Sequence, residues 1–166
     1  FRYNEHSNIS SLDPIFSSTV RNIWPVNQIF NGLVQLDDSL NIKPDLAKKW
    51  DISDDGLNYV FNIKKNIFFH KSNIFGADST RTVNAYDFEY SFNRLKSPEL
   101  SSPGSWVLNN VDQYKAINDS LFSISLKKPF AAFIGILSMK YCSVVPKEAV
   151  EYYGVKFGKN PIGTGP

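Results

Sequence analysis

The sequence predicts a mixed α/β domain of the α+β kind, in which antiparallel hairpins alternate with short helices. Three observations carry that expectation. Two stretches, Trp50 to Ile63 and Tyr114 to Leu126, alternate apolar and polar residues with period two around Asp- and Asn-containing turns. Between them Ala85, Phe88, Phe92 and Leu95 recur at the spacing of one helix face. The 166 residues amount to about one domain, and 42% hydrophobic content supplies a core and excludes intrinsic disorder.

The elements follow in chain order. Ser11-Leu12-Asp13-Pro14 reads as a turn, and a helix is expected in the stretch that follows, through Asn31. It either starts near Ser18 and kinks at Pro25, or starts at Pro25, where a missing amide hydrogen costs nothing. Gly32 is placed to stop it. A short apolar run from Leu33 leads to a turn at Asp37-Asp38. In the first hairpin Asp54-Asp55-Gly56 turns the chain, with Tyr59, Phe61 and Ile63 inward and Asn58, Asn62 and Lys64 outward. Phe68-Phe69 reads as the end of a strand. Asn84 caps the following helix, and Asp87 completes a variant of the capping box. The second hairpin turns at Asn118-Asp119 and points Phe122, Ile124 and Leu126 inward. Phe130 to Ser138 and Pro146 to Tyr153 are short helix candidates, the second with Pro in its first turn and Gly154 just past its end.

Composition excludes several functions. A net charge of +2 with 20% charged residues lacks the basic footprint that nucleic acid requires. The longest nearly uninterrupted apolar stretch, Pro129 to Met139, is about half of the ~20 residues that span a bilayer. Cys142 stands alone, and with His6 and His70 it forms no zinc-like spacing, so no metal or other cofactor is expected. Asp51, Ser53, Asp55 and Gly56 imitate the start of a calcium loop. The twelfth position is Asn62 rather than Glu, and a strand follows, so a hairpin turn explains the window better. Gly163-Thr164-Gly165 lacks the Lys-Ser/Thr of a phosphate cradle and reads as a connector. His70 reads as structural or solvent-facing. The serines lack a nucleophile elbow and the carboxylate pairs lie in turns, so no catalytic residue is expected. Most aromatics read as core. Trp106, in the loop-like run Ser101 to Ser105, is either a core anchor or an exposed ring with another use.

Taken together in order, Asp13-Pro14, Gln28-Ile29-Phe30-Asn31-Gly32-Leu33, Pro44-Asp45-Leu46-Ala47 with Trp50, and Ser53-Asp54-Asp55-Gly56-Leu57 with Tyr59 and Phe61 form one pattern. It continues through Phe69-His70, Val83-Asn84-Ala85, Asp87-Phe88, Tyr90-Ser91, Arg94-Leu95, Val145-Pro146-Lys147 and Pro161-Ile162-Gly163-Thr164-Gly165-Pro166. This pattern resembles the extracellular, periplasmic solute-binding proteins of the peptide/nickel class of ABC importers, which include the oligopeptide- and dipeptide-binding proteins.

The resemblance implies a periplasmic-binding-protein type II-like fold, with residues 1–36 starting lobe I, 37–144 forming its inserted subdomain and 145–166 returning to lobe I. Lobe II, which in such proteins holds most of the charges that grip a peptide's termini, is expected outside this chain. The unfinished turn at Pro166, and a start at Phe1 with no leader, raise the expectation of a fragment of a longer protein. The loop Lys71 to Thr82 is longer than the tight Asp-Gly turn usual in the class.

Further implications are a peptide or other small solute as ligand, a membrane permease and ATPase as partners, a monomer, and no enzymatic activity. A periplasmic location is implied too, with a lipid anchor conceivable only upstream of Phe1. A nickel, haem or oligosaccharide binder of the same fold, or a surface interaction module, is the alternative. Phe16, Ser17, Ser18 and Thr19 resemble the stretch that lines the cleft from lobe I, and Ser105 and Trp106 the loop that reaches it from the subdomain. Small hydroxyls let a ligand backbone approach, and an aromatic ring covers an apolar side chain. The hydroxyls of Ser17 to Thr19 suit helix capping equally well.

Overall fold

In the computed structural model, which describes residues 8–166, Asp13 starts the fold by capping a one-turn 3-10 helix, Pro14–Phe16. Helix α1, Val20–Ile29, follows and carries Pro25 inside it. The helix thus starts near the earlier of the two expected points. Its buried residues are Asn22 and Val26, while Trp24 is 61% exposed. Gly32 does not stop it. The helix closes on Phe30, whose backbone is extended, and the chain leaves as an open strand-like segment. A left-handed stop would have turned that segment away from the partners described below.

Strands β1, Val34–Leu36, and β2, Ile42–Pro44, form a small antiparallel ribbon across the Asp37 turn. The main sheet is built from β3, Ala47–Ile52, β4, Asn58–Ile63, β5, Val111–Asn118, and β6, Leu121–Leu126, in the order β3-β4-β6-β5, all antiparallel. Phe61 stands opposite Phe122, and Tyr59 opposite Ile124. One face therefore collects the apolar set that period-two alternation selects. Gly56 takes a left-handed φ of 69° at the first hairpin turn, a conformation that costs glycine little. The calcium-loop imitation is that turn: the Asp55 carboxylate accepts from the Ser53 hydroxyl and the Leu57 amide.

Helix α2, Ala85–Lys96, covers the buried face of the sheet. Both halves of the capping box form, Asn84 accepting from the Tyr86 and Asp87 amides and Asp87 accepting from the Asn84 amide. Phe92 meets Phe122 and Tyr114 edge to face at centroid distances of 5.3 and 5.5 Å. Phe133, in the single-turn helix α3, Phe133–Ile136, packs against Tyr59 at 5.1 Å. That helix is shorter than the apolar run from Phe130 to Ser138. Helix α4, Lys147–Tyr153, has Pro146 at its N-cap and Gly154 just beyond, with a φ of 52°.

Two further expectations are corrected. Phe68 and Phe69 do not end a strand; Phe68 makes one isolated bridge to Thr82. The Lys71 to Thr82 loop coils instead into 3-10 turns over Asn73–Asp78. Nor do all of the other rings outside the two hairpins and α2 follow the reading of aromatics as core, because Trp24, Phe68, Phe130 and Tyr152 are exposed together with Trp106. His6 lies outside the described residues.

Two charged clusters tie distant segments together. Arg94 donates to both oxygens of Asp13, at 3.2 and 2.7 Å, with both side chains buried. Arg81 bridges Asp87 and Glu148 at 2.6–2.9 Å, closing the long loop onto α2 and α4. Burial alone would lower the Arg81 pKa, but the two carboxylates win and raise it. The hydrogen bond from Arg81 likewise holds Glu148 below the usual carboxylate range, against its partial burial.

Removing one member of a buried pair strands the other charge. Asp13→Ala should therefore destabilise the fold by about 3–5 kcal/mol in urea unfolding, and adding Arg94→Met should recover part of that loss. Asn84→Ala should cost about 1 kcal/mol in the same measurement.

Candidate functional site

Two short irregular segments, Pro14–Phe16 and the 3-10 turn Lys140–Cys142, pack together beside α1, and the loop that leads into the 3-10 helix Ser105–Leu108 reaches both. Their approach follows from specific contacts. The Ser102 hydroxyl donates to the Ile15 carbonyl at 2.5 Å, and a side chain at Gly104 would run into the Tyr141 ring. Only glycine lets that loop lie against Tyr141.

The six residues singled out from the sequence occupy different situations here. Phe16 is half-buried against the core. Ser17 is only 1% exposed, and its hydroxyl donates to the Asp13 carbonyl at 3.4 Å. Ser18 and Thr19 are exposed; Thr19 takes the N-cap position of α1 without a side-chain capping bond, so its hydroxyl is free of that duty. Ser105 is exposed, and Trp106 presents 48% of its surface to solvent.

Two open depressions lie on this part of the molecule, and they separate Ser17 from Ser105. One, of about 390 Å³, is lined by Ser17, Ile23, Asn27, Gln35, Leu36, Ser138, Met139, Lys140 and Tyr141. The other, of about 410 Å³, is lined by Lys96, Ser97, Pro98, Ser101, Ser105, Leu108, Asn109 and Lys127. Both fall within the size range of small-molecule sites. Sequence reasoning missed Asn27, Gln35, Met139, Lys140 and Tyr141. The available signal was Lys140, the one charged residue in the stretch from Ile134 to Val145.

Among the described residues no three His, Cys, Asp or Glu side chains stand close enough to hold a metal ion. Cys142 is fully buried, and burial pushes its thiol up to about 12, which leaves it an unreactive thiol at neutral pH.

The wall beside the first depression is held by the C-terminal tail. Thr164 and Gly165 donate their amides to the Ile29 carbonyl at 3.0 and 2.9 Å, and the Thr164 hydroxyl donates to Asn31 at 2.8 Å. A Cβ at Gly163 or Gly165 would overlap the carbonyls of Ile29 or Gln28. His70 clips the same tail. The Gly163 amide donates to its Nδ1 at 3.3 Å, which makes Nδ1 the acceptor and leaves Nε2 to donate to the Gly165 carbonyl at 2.9 Å. The connector and the structural histidine thus belong to one joint.

Residues 41–166 match the family described as bacterial extracellular solute-binding proteins, family 5 middle. The glutathione-binding protein GsiB of Salmonella choleraesuis is 29% identical over 160 residues, covering 96% of this chain and 30% of the relative. The periplasmic binding protein DppA from Helicobacter pylori, an ABC transporter-associated protein solved with the peptide STSA, superposes with a TM-score of 0.83 at 28% identity, over 95% of this chain and 34% of that one. HbpA2 from Haemophilus parasuis superposes with a TM-score of 0.85 at 28% identity, over 96% and 35%. The chain therefore spans about a third of the length of these relatives.

Gly165→Ala should displace the tail from α1. The expected readout is faster amide exchange at Thr164 together with a stability loss of about 1–3 kcal/mol; an unchanged exchange rate at Thr164 would mean that the tail is held by other contacts.

Proposed function

The chain belongs to the bacterial extracellular solute-binding proteins of family 5, and on that premise we propose that it forms one wall of the ligand cleft in a peptide-capturing component of an ABC importer. The family is one of solute-binding proteins rather than enzymes, and the fold is the mixed helix-and-sheet type of its periplasmic binding-protein neighbours. The observation that carries the reading is the match over residues 41–166, supported by relatives whose names specify glutathione and a bound tetrapeptide.

On this reading residues 1–36 and 145–166 belong to lobe I and residues 37–144 to its inserted subdomain. The paired backbone of Asn31 with Val144, and of Ile29 with Thr164, supports such a double crossing. Capture works by closure: a ligand that touches both lobes is bound more tightly in the closed state and shifts the population towards it. One wall alone supplies only part of those contacts. The complete protein works outside the inner membrane, in the periplasm and held there by a lipid where an anchor precedes Phe1. It delivers its solute as a monomer to a membrane permease driven by an ATPase. Ser18, Thr19 and the half-exposed Trp106 are the cleft-facing candidates, Phe16, Ser17 and Ser105 supporting them.

The test is calorimetric titration of the full-length protein with glutathione and with a panel of di- to tetrapeptides. Saturable binding to at least one of them is expected, and binding to the isolated 166-residue chain should be weaker by about 100-fold or more, since half the contacts are lost. Binding of nickel, haem or an oligosaccharide in place of every peptide would overturn the reading. Trp106→Ala should weaken peptide binding by about 10-fold while leaving the Tm nearly unchanged, because the ring is half outside the core.

A further inference from the structure

The depression beside α1 contains a charge that the packing of the fold does not explain. Lys140 lines it half-buried, and among the described residues its ammonium makes no ion pair. Burial lowers its pKa, with the field of Asp45 opposing. Asp45 acts on it only as a field and makes no direct ion pair with it; the Asp45 oxygens accept instead from the Asn31 amide group and the Gly32 amide, at 3.0–3.2 Å. No acidic residue lines the depression. A cation partly removed from water without a partner is unfavourable, and an anionic group placed beside it relieves that cost with a charge-assisted hydrogen bond.

The surroundings narrow the anion. Asn27 and Tyr141 are neutral hydrogen-bonding neighbours, and Ile23, Leu36 and Met139 form an apolar margin. A phosphate site would use several cations or a run of backbone amides, whereas one lysine beside neutral polar groups and an apolar margin suits a single carboxylate attached to an organic body. The volume of about 390 Å³ accommodates the end of a short peptide. We propose that Lys140 binds a carboxylate of the captured solute, either its C-terminal carboxylate or an acidic side chain. This rests on the peptide-capture reading above and names the group that this wall holds.

The experiment titrates the full-length protein, as wild type, Lys140→Met and Lys140→Arg, with tri-alanine, C-terminally amidated tri-alanine, and the amidated tripeptides Ala-Glu-Ala and Ala-Gln-Ala. Methionine keeps the aliphatic stem, and arginine keeps the charge. Lys140→Met should weaken the carboxylate-bearing peptide by about 10-fold or more, leave peptides without the group unaffected, and be largely rescued by Lys140→Arg. A wild-type loss on amidation assigns the C-terminal carboxylate; a preference for Glu over Gln assigns the side chain. Equal affinities of wild type and Lys140→Met for every peptide would overturn the proposal, as would an equal loss for all four, which marks a structural lysine.

Failure of every peptide to bind the wild type would defeat the peptide-capture reading instead. The lysine is then judged on the ¹³C-dimethylamine resonance of Lys140 during titration with succinate: a saturating shift retains the carboxylate site, and a static resonance removes it.

Discussion

The structure depends on the segment from Ile29, the last residue of α1, to Leu33, because three other parts of the chain satisfy their hydrogen bonds on it. The carbonyl of Ile29 takes the tail amides of Thr164 and Gly165, that of Asn31 takes Val144, and those of Gly32 and Leu33 take Leu46, Asp45 and Ala47. Asp45 answers from the other side by accepting from the Asn31 side chain and the Gly32 amide. A buried strand with unmet peptide groups is not tolerated, so each of these segments must arrive in register. The early end of α1 at Ile29 is what makes the arrangement possible. A helix running on to Gly32 would have turned the Asn31 and Gly32 carbonyls along its axis, away from Val144 and Leu46.

The position of the proposed ligand wall follows from this joint. With the end of α1 held, the helix presents Ile23 and Asn27 to the depression, and the ribbon β1 contributes Leu36 from its adjoining edge. The buried Asp13–Arg94 pair secures the entry to α1 against α2. Lys140 reaches the depression because the turn after α3 is short and is anchored by the buried Cys142 and Val144.

Elements whose partners are close in sequence were legible beforehand. Helix α2 announced itself through the spacing of its apolar residues and the pair Asn84 and Asp87, since a capping box is a contact across three residues. The two hairpins were legible because alternation and a turn suffice to define them locally. Elements that depend on distant partners were not. The end of α1 was misplaced because the reason for it lies in Asp45 and Thr164, and Phe68 was misassigned because its surroundings are a loop pinned by Arg81 to Asp87 and Glu148. Of the candidate site, the small hydroxyls after Asp13 and the exposed Trp106 were named from local pattern and resemblance. Lys140 was passed over, because a lysine without a partner looks in sequence like any solvated lysine.

The sequence by itself therefore determined the antiparallel hairpins, the capped amphipathic helix, the mixed fold class and the family. Each of these is written in residue spacing over a few positions, or in an ordered series of such spacings. Tertiary structure alone decided which glycines lie against backbone, which tautomer His70 holds, where α1 ends, and that Lys140 lines a depression half-buried and outside any ion pair among the described residues. Those properties belong to groups far apart in the chain, such as His70 with Gly163, Asp13 with Arg94, and Lys140 with Asn27. Burial and hydrogen-bond satisfaction are set by what folding brings together, and no local pattern records them.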